Sequence, residues 1–355
     1  VADFTAETKI KVKVSFIPKD SFNTKLNSAL ANGKGPDISY LDQPRMAEFG
    51  SDGTLVDLTE KIKASKVVSE DAFFPSAFDT CVLDGKTYGV PLTITTSVLL
   101  YNKKLVNENN LPKDWDDMLK IAKEVAANPT KAAFDGIGSG GYASWYYQAF
   151  ICSAGGNYTN NDFTKLTFND KHGVEACQFL VDLYGCSPEE IRNSSSAFGN
   201  GNVAFTLGGG SDIDSLQANF TDLDFGAMLI PPKNEGDTSY SNIGGENLVM
   251  YSASKKQNEA FQFIEYLSKT QNSEKIAKYT GNFSAMKSLA KTDNQLKQVV
   301  LEQLNTAVAR PQLNGWLEVN DNYLASALET ILNGGDIQKN LDDAVKTANA
   351  ALGLQ

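Results

Sequence analysis

The chain has 355 residues, 41% of them hydrophobic and 21% charged, with a formal net charge of −11. That length exceeds one ordinary core and predicts two domains. An acidic surface repels phosphate backbones and anionic lipid, which argues against nucleic-acid and membrane-surface binding, and no apolar run approaches the ~20 residues that span a bilayer.

Val1 to Thr8 reads as the last turns of an amphipathic helix, with Val1 and Phe4 on one face. Lys9 to Pro18 (KIKVKVSFIP) alternates as a half-buried strand. A domain that opens on the back of a helix implies an upstream strand and helix start outside this sequence. A helix follows over Ser21–Ala31, stopped by Gly33 to Pro36, and a strand over Asp37–Leu41. Leu55 to Leu58 begins a short helical segment. Asp84-Gly85 forms a tight turn into one long β-prone run that ends at Lys103. That run is apolar at its ends and hydroxyl-rich in its middle (Thr93, Thr95, Thr96). A wet middle suits a strand that crosses from one domain to the next and shows hydroxyls to something polar.

Beyond it, Leu111 to Trp115 opens a helix reaching about Ala127, and Gly136 to Gly141 reads as a glycine-rich turn. Helices are expected over Lys171–Gly185 and Pro188–Phe198. Strands are expected over Asn202–Leu207, Phe225–Ile230 and Asn247–Tyr251, and an amphipathic helix over Asn258–Lys269. The last sixty residues read as helical, broken at Gly334-Gly335. Strands alternating with helices define an α/β class.

Catalysis is hard to build from these residues. The single histidine, His172, reads as a solvated residue at a helix start, and no Gly-x-Ser-x-Gly elbow or phosphate loop is present. The four cysteines, Cys81, Cys152, Cys177 and Cys186, form no Cys-x-x-Cys pair and have no histidine cluster, so they read as buried free thiols rather than a zinc site. No cofactor or metal is expected. Nine residues of helix from Cys177 to Cys186 span about 13 Å, too far for a disulfide.

Binding is easier to build. Tyr142, Trp145 and Tyr146 share one face of a helix (i, i+3, i+4). Rings with a polar handle suit a half-wet cleft. Gly208 to Gly210 and Gly244-Gly245-Glu246-Asn247 allow close approach of a ligand to the backbone.

In this order the motifs are similar to those of the extracellular solute-binding proteins of family 1, the maltose-binding-like receptors of ABC importers. The resemblance rests on Ala2 to Thr5, Asn32 to Asp37, Gly53 to Leu58, Asp84 to Pro91, Tyr101-Asn102-Lys103 and Pro112 to Trp115. It continues with Asn202 to Thr206, Ile243 to Asn247, Asn258 to Ile264, Ala309-Arg310-Pro311 and Asn340 to Ala344. It implies a type II periplasmic-binding-protein fold: two α/β lobes, each a mixed sheet flanked by helices, joined by a multi-strand hinge and closing over a sugar. The lobes are expected to be discontinuous, residues 1–95 plus 250–292 and residues 96–249 plus 293–355.

Carried onto matching positions, the resemblance implies ligand-binding roles for Asp42, Gln43, Arg45, Thr95, Thr96, Tyr142, Trp145, Tyr146, Gly209, Gly210, Ser211, Gly245, Glu246, Asn247 and Trp316. Ser211 stands where maltodextrin-type members often carry a tryptophan. Rings would cover the apolar faces of a sugar, while Asp42, Gln43 and Asn247 would bond its hydroxyl rim. The implied partners are an oligosaccharide and the membrane permease of an ABC importer. The protein would be a monomer, not an enzyme, held outside the cell by a lipid anchor or free in a periplasm. Three rival readings are a carboxylate-dependent glycan hydrolase, a ferric-iron receptor using Tyr146 and Tyr147, and a pure adhesion or sensor module.

Overall fold

The computed structural model describes residues 1–137, 140–194 and 196–354. The chain forms two compact units. Unit 1 comprises Val1–Ile94, Gly245–Tyr279 and Ser284–Leu289; unit 2 comprises Thr95–Gly244, Thr280–Phe283 and Ala290–Gln355. The passage from the first to the second falls inside the strand Thr93–Thr96.

Unit 1 is built on a three-stranded antiparallel sheet. Its central strand, Glu246–Met250, pairs Ile38–Asp42 on one side and Gly89–Pro91 on the other. Leu41, Met46, Phe49, Leu55, Val249 and Tyr251 pack with Leu26 of the helix Lys19–Ala31 to form its core. A second cluster joins Phe4 to Phe263 and Tyr266 of the helix Gln257–Ser268. The hairpin Val82–Leu83/Lys86–Thr87 turns through Asp84 (φ 49°) and Gly85 (φ 73°). Two consecutive positive φ values are what a two-residue primed turn demands, and the Asp-Gly pair supplies them at little steric cost.

Unit 2 holds a four-stranded mixed sheet in the order Ala132–Phe134, Val203–Gly208, Val98–Asn102, Phe225–Met228. The first pair is parallel and the other two are antiparallel. Helices Trp115–Ala126, Gly141–Ser153 and Lys171–Gly185 cover it with a large aromatic core, in which Trp115 stacks on Phe179 at 4.3 Å. Asp114 and Asp170 cap two of these helices by accepting backbone N–H bonds from Asp117 (2.8 Å) and from His172 and Gly173 (2.8 and 3.1 Å).

Several expectations fail locally. Lys9–Pro18 forms no strand among the described residues. Ile10 and Val12 lean on the Phe4 cluster, but no strand of the unit 1 sheet pairs with this segment. Alternation specifies a face, not a partner. The long run from Gly85 is four short strands, Lys86–Thr87, Gly89–Pro91, Thr93–Thr96 and Val98–Asn102. Its middle is drier than expected. Thr93 and Thr96 are buried, and their hydroxyls donate to the Glu246 carboxylate and the Asn242 carbonyl, each at 2.6 Å. Only Thr95 is half-buried.

The helix expected over Pro188–Phe198 is a single turn, Glu189–Arg192, and Ser195 lies outside the described residues. Of the glycine-rich turn, Gly138 and Ser139 lie outside them too. The last sixty residues are not helical throughout up to the Gly334-Gly335 break. Gln295–Gln303 gives way to a strand, Ala307–Val308, and beyond Trp316 a π-helix runs over Val319–Leu324. His172 is half-buried, not solvated, and its Nδ1 is buried without a partner among the described residues. The cysteines are free thiols, with Cys186 half-buried and the other three buried.

Candidate functional site

In unit 1 the candidate residues gather where two strands leave the sheet. The register sets Leu41 opposite Asn247 and Asp42 opposite Glu246, so Asp42, Glu246 and Asn247 occupy adjacent positions of one ladder, and Gln43 follows Asp42 just past its end. Gly245 precedes them at φ 138°, and a Cβ there would lie 2.1 Å from the Thr93 carbonyl oxygen, which restricts the position to glycine. Glu246 accepts from the Thr93 hydroxyl, and the Asn247 amide donates to the Thr80 hydroxyl at 3.0 Å. Gln43 is only 3% exposed, yet neither its amide oxygen nor its amide nitrogen has a partner among the described residues. The Asn247 amide oxygen is likewise buried and unpaired. Buried polar atoms are seldom left so, and each such group asks for an occupant, water or ligand.

Arg45 is held differently. Its guanidinium is buried, bonded to Glu48 at 3.1 Å, Asn23 at 2.8 Å and Asn27 at 2.7 Å, and lies over the Phe49 ring. Those bonds fix it as a brace between helices and leave it little capacity for a ligand.

In unit 2 the aromatic helix Gly141–Ser153 carries two faces. Tyr147 and Phe150 enter the core, where the Tyr147 hydroxyl donates to the Gly173 carbonyl at 2.6 Å. Tyr142, Trp145 and Tyr146 lie on the other face, with centroids 5.0 to 6.4 Å apart. Tyr142 is 57% exposed, and Trp145 and Tyr146 are half-buried. Tyr146 and Tyr147 therefore point into different surroundings and do not form a phenolate pair, and no cluster of metal-binding residues occurs among the described residues.

Trp145 lies against the strand Ser241–Gly244. A Cβ on Gly244 would come within 3.2 Å of both its ring and the Thr95 methyl. A Cβ on Gly209 would meet the Thr96 carbonyl at 2.9 Å and the Thr95 hydroxyl at 3.0 Å. Thr95, Thr96, Trp145 and Gly209 are thus brought together. Gly210 is buried beside Gly281, while Ser211 is exposed. Trp316 is not a surface platform. It is 1% exposed, with its ring 5.1 Å from that of Tyr158 inside the core. An aromatic residue at the right point of a motif need not keep its face in water.

Two carboxylates beside this helix escaped the sequence reading. Asp212 accepts from the Gly209 N–H at 2.7 Å; desolvation pushes its carboxyl up, and that bond opposes the shift. Asp135 follows the strand Ala132–Phe134, and one of its oxygens is buried without a partner among the described residues. Burial pushes its pKa up to about 6, against the Thr206 hydroxyl and the Phe198 backbone, which hold it down. Both neighbour Tyr146 closely enough for their charge to raise its phenol further, above the large effect of burial. The available signal was an acid followed by glycine at a strand end (Asp135-Gly136) and an acid three residues into a Gly-Gly-initiated helix.

Residues 1–300 match the model of the bacterial extracellular solute-binding proteins, and the chain belongs to that family. It is 25% identical over 378 residues to the galactooligosaccharide-binding protein of Bacillus subtilis strain 168, covering 99% of this chain and 85% of the relative. It is 28% identical over 308 residues to the maltodextrin-binding protein MdxE of the same organism, covering 81% and 70%. In structure it superposes on the ABC substrate-binding protein Lmo0181 of Listeria monocytogenes, solved with cycloalternan, with a TM-score of 0.85 at 23% identity, over all of this chain and 95% of that one. The fold is the type II two-lobed solute-binding fold, with mixed sheets flanked by helices.

Proposed function

We propose that this chain is an extracytoplasmic substrate-binding protein that captures an oligosaccharide and delivers it to the permease of an ABC importer. The observation that carries the reading is the half-wet aromatic face of Tyr142, Trp145 and Tyr146, packed beside Thr95 and the Gly209 backbone. Sugar rings offer apolar C–H faces to such a surface and hydroxyls to its polar border. The likeness to galactooligosaccharide- and maltodextrin-binding relatives supports the ligand class. In unit 1 the unpaired Gln43 amide and the unpaired Asn247 amide oxygen, with Asp42 and Glu246, are the groups suited to bond a hydroxyl rim. Thr96, Gly210, Ser211 and Gly245 shape the backbone around these two groups of residues. Arg45 and Trp316 act from within the cores that hold them.

The protein works outside the cytoplasmic membrane as a monomer, by a lipid anchor or free in a periplasm, and alters nothing chemically. No helix of the described residues is long and apolar enough to cross a membrane. Calorimetric titration with galacto- and malto-oligosaccharides tests the proposal. Saturable binding that falls at least tenfold in Trp145→Ala is the expected result; release of shorter sugars during the titration would favour the hydrolase instead.

A further inference from the structure

Unit 2 has a polar cavity, none of whose lining residues belongs to the aromatic helix. It has a volume of about 490 Å³ and is walled by Asn102, Lys104 and Lys131, the Gly199-Asn200-Gly201 turn and the Asn219–Leu223 loop. That is within the size range of small-molecule sites. Asn102 ends the strand Val98–Asn102 and is 1% exposed. Its amide oxygen is committed, accepting from the Lys104 N–H at 2.9 Å. Its amide nitrogen is buried with no partner among the described residues. Opposite it, Gly201 adopts φ 74°, and a Cβ there would lie 3.7 Å from that nitrogen, so the glycine leaves the donor uncovered.

The charges around the cavity have one sign in excess, two lysines against Asp222, on a chain of net charge −11. Lys131 donates to the Gly201 carbonyl at 3.1 Å and the Asn202 side chain at 3.0 Å, which holds its ammonium at the rim. Lys104 makes only a 3.5 Å contact with the Asp222 carbonyl. Neither lysine is ion-paired with a described carboxylate. An amide N–H aimed at no acceptor and two ammonium groups outside any ion pair with a described carboxylate give this wall an excess of donors.

We propose that this cavity binds a small organic or inorganic oxyanion, a phosphate or a polycarboxylate, with the Asn102 amide and the two ammonium groups as its donors. The site is independent of the sugar reading, because none of its residues belongs to the aromatic face.

The test is a titration of the whole chain, ¹⁵N-labelled, with inorganic phosphate and separately with citrate at low ionic strength, where exposed charges are least screened. The readout is the side-chain amide of Asn102. A saturable shift with one of the two anions is expected, and which one responds identifies the source chemistry. Asn102→Asp keeps the acceptor for the Lys104 N–H and replaces the donor with a negative charge; it should weaken binding by tenfold or more. Lys104→Glu, at an exposed position that leaves the fold untouched, should weaken it severalfold. The proposal is overturned if neither anion gives a saturable shift, if both variants bind as the parent does, or if chloride reproduces the shift (an adventitious ion only). Sugar titrations of the same variants should be unchanged.

Discussion

Asp135 offers a test at the level of one atom. Its carboxyl titrates at about 6, above the ordinary 3.8, because burial disfavours the anion. The folded state therefore holds a proton that the unfolded chain has released between pH 4 and 6. The stability tied to the neutral acid is complete below about pH 4 and is lost as pH rises through 6. The shift of about two pK units corresponds to at most ~3 kcal/mol. Asp135→Asn should match the parent in urea melts at pH 4 and exceed it by about 1–3 kcal/mol at pH 8; an increment that does not change with pH would remove burial as the cause. Trp145 and Trp316 give a contrasting pair. Trp145→Ala should cost about 2 kcal/mol of sugar affinity, roughly thirtyfold in Kd, with little loss of stability. Trp316→Ala should instead destabilise by about 3–5 kcal/mol, as a large core deletion does, with the loss read in the urea midpoint. The thiols follow the same logic. Burial pushes Cys152 and Cys177 up to about 12 and Cys81 higher still, so they lack thiolate at neutral pH. A disulfide reagent should modify Cys186 first in the native protein and reach all four only on denaturation.

Among the elements, those with a strong period or a clear cap were readable from the sequence. Lys171–Gly185 matches its expected span, and Trp115–Ala126 begins where Asp114 caps it. The strand Ile38–Asp42 follows the Gly-Pro stop as expected. What was not readable depended on partners distant along the chain. Lys9–Pro18 alternates correctly but gains no ladder neighbour. The Thr93–Thr96 hydroxyls look solvated in one dimension, yet two of them find acceptors more than a hundred residues away. The aromatic helix was readable as a ring stripe, and its three outward rings are those with spacing i, i+3, i+4. Asp135 and Asp212 were not, since an acid's burial depends on what folds over it. The π-helix Val319–Leu324 had no local signature either. It abuts the start of the aromatic helix, where the Ser144 hydroxyl donates to the Asn320 carbonyl at 2.8 Å and the Asn320 amide to the Gly141 carbonyl at 3.3 Å. A widened turn of this kind often marks a functional region. Ser144→Ala removes that link and leaves a buried carbonyl short of a partner, with an expected cost of about 1–2 kcal/mol in a thermal melt.

For the molecule as a whole, binding and stability are linked. A sugar that binds only the folded chain raises its apparent stability by about 2.7 kcal/mol at a hundredfold excess over Kd. The melting temperature should therefore climb with oligosaccharide concentration in the parent, and in Trp145→Ala the same climb should need roughly thirtyfold more sugar.

The middle strand of the unit 1 sheet, Glu246–Met250, is also the last of its three to leave the ribosome. Until it emerges, Ile38–Asp42 and Gly89–Pro91 have no neighbour to zip against, and the first ninety-odd residues cannot settle into their final packing. Contacts so remote along the chain also close slowly. The keystone of unit 1 is thus its latest arrival, and a chain cut short before residue 246 should leave the first ninety-odd residues with no sheet to join.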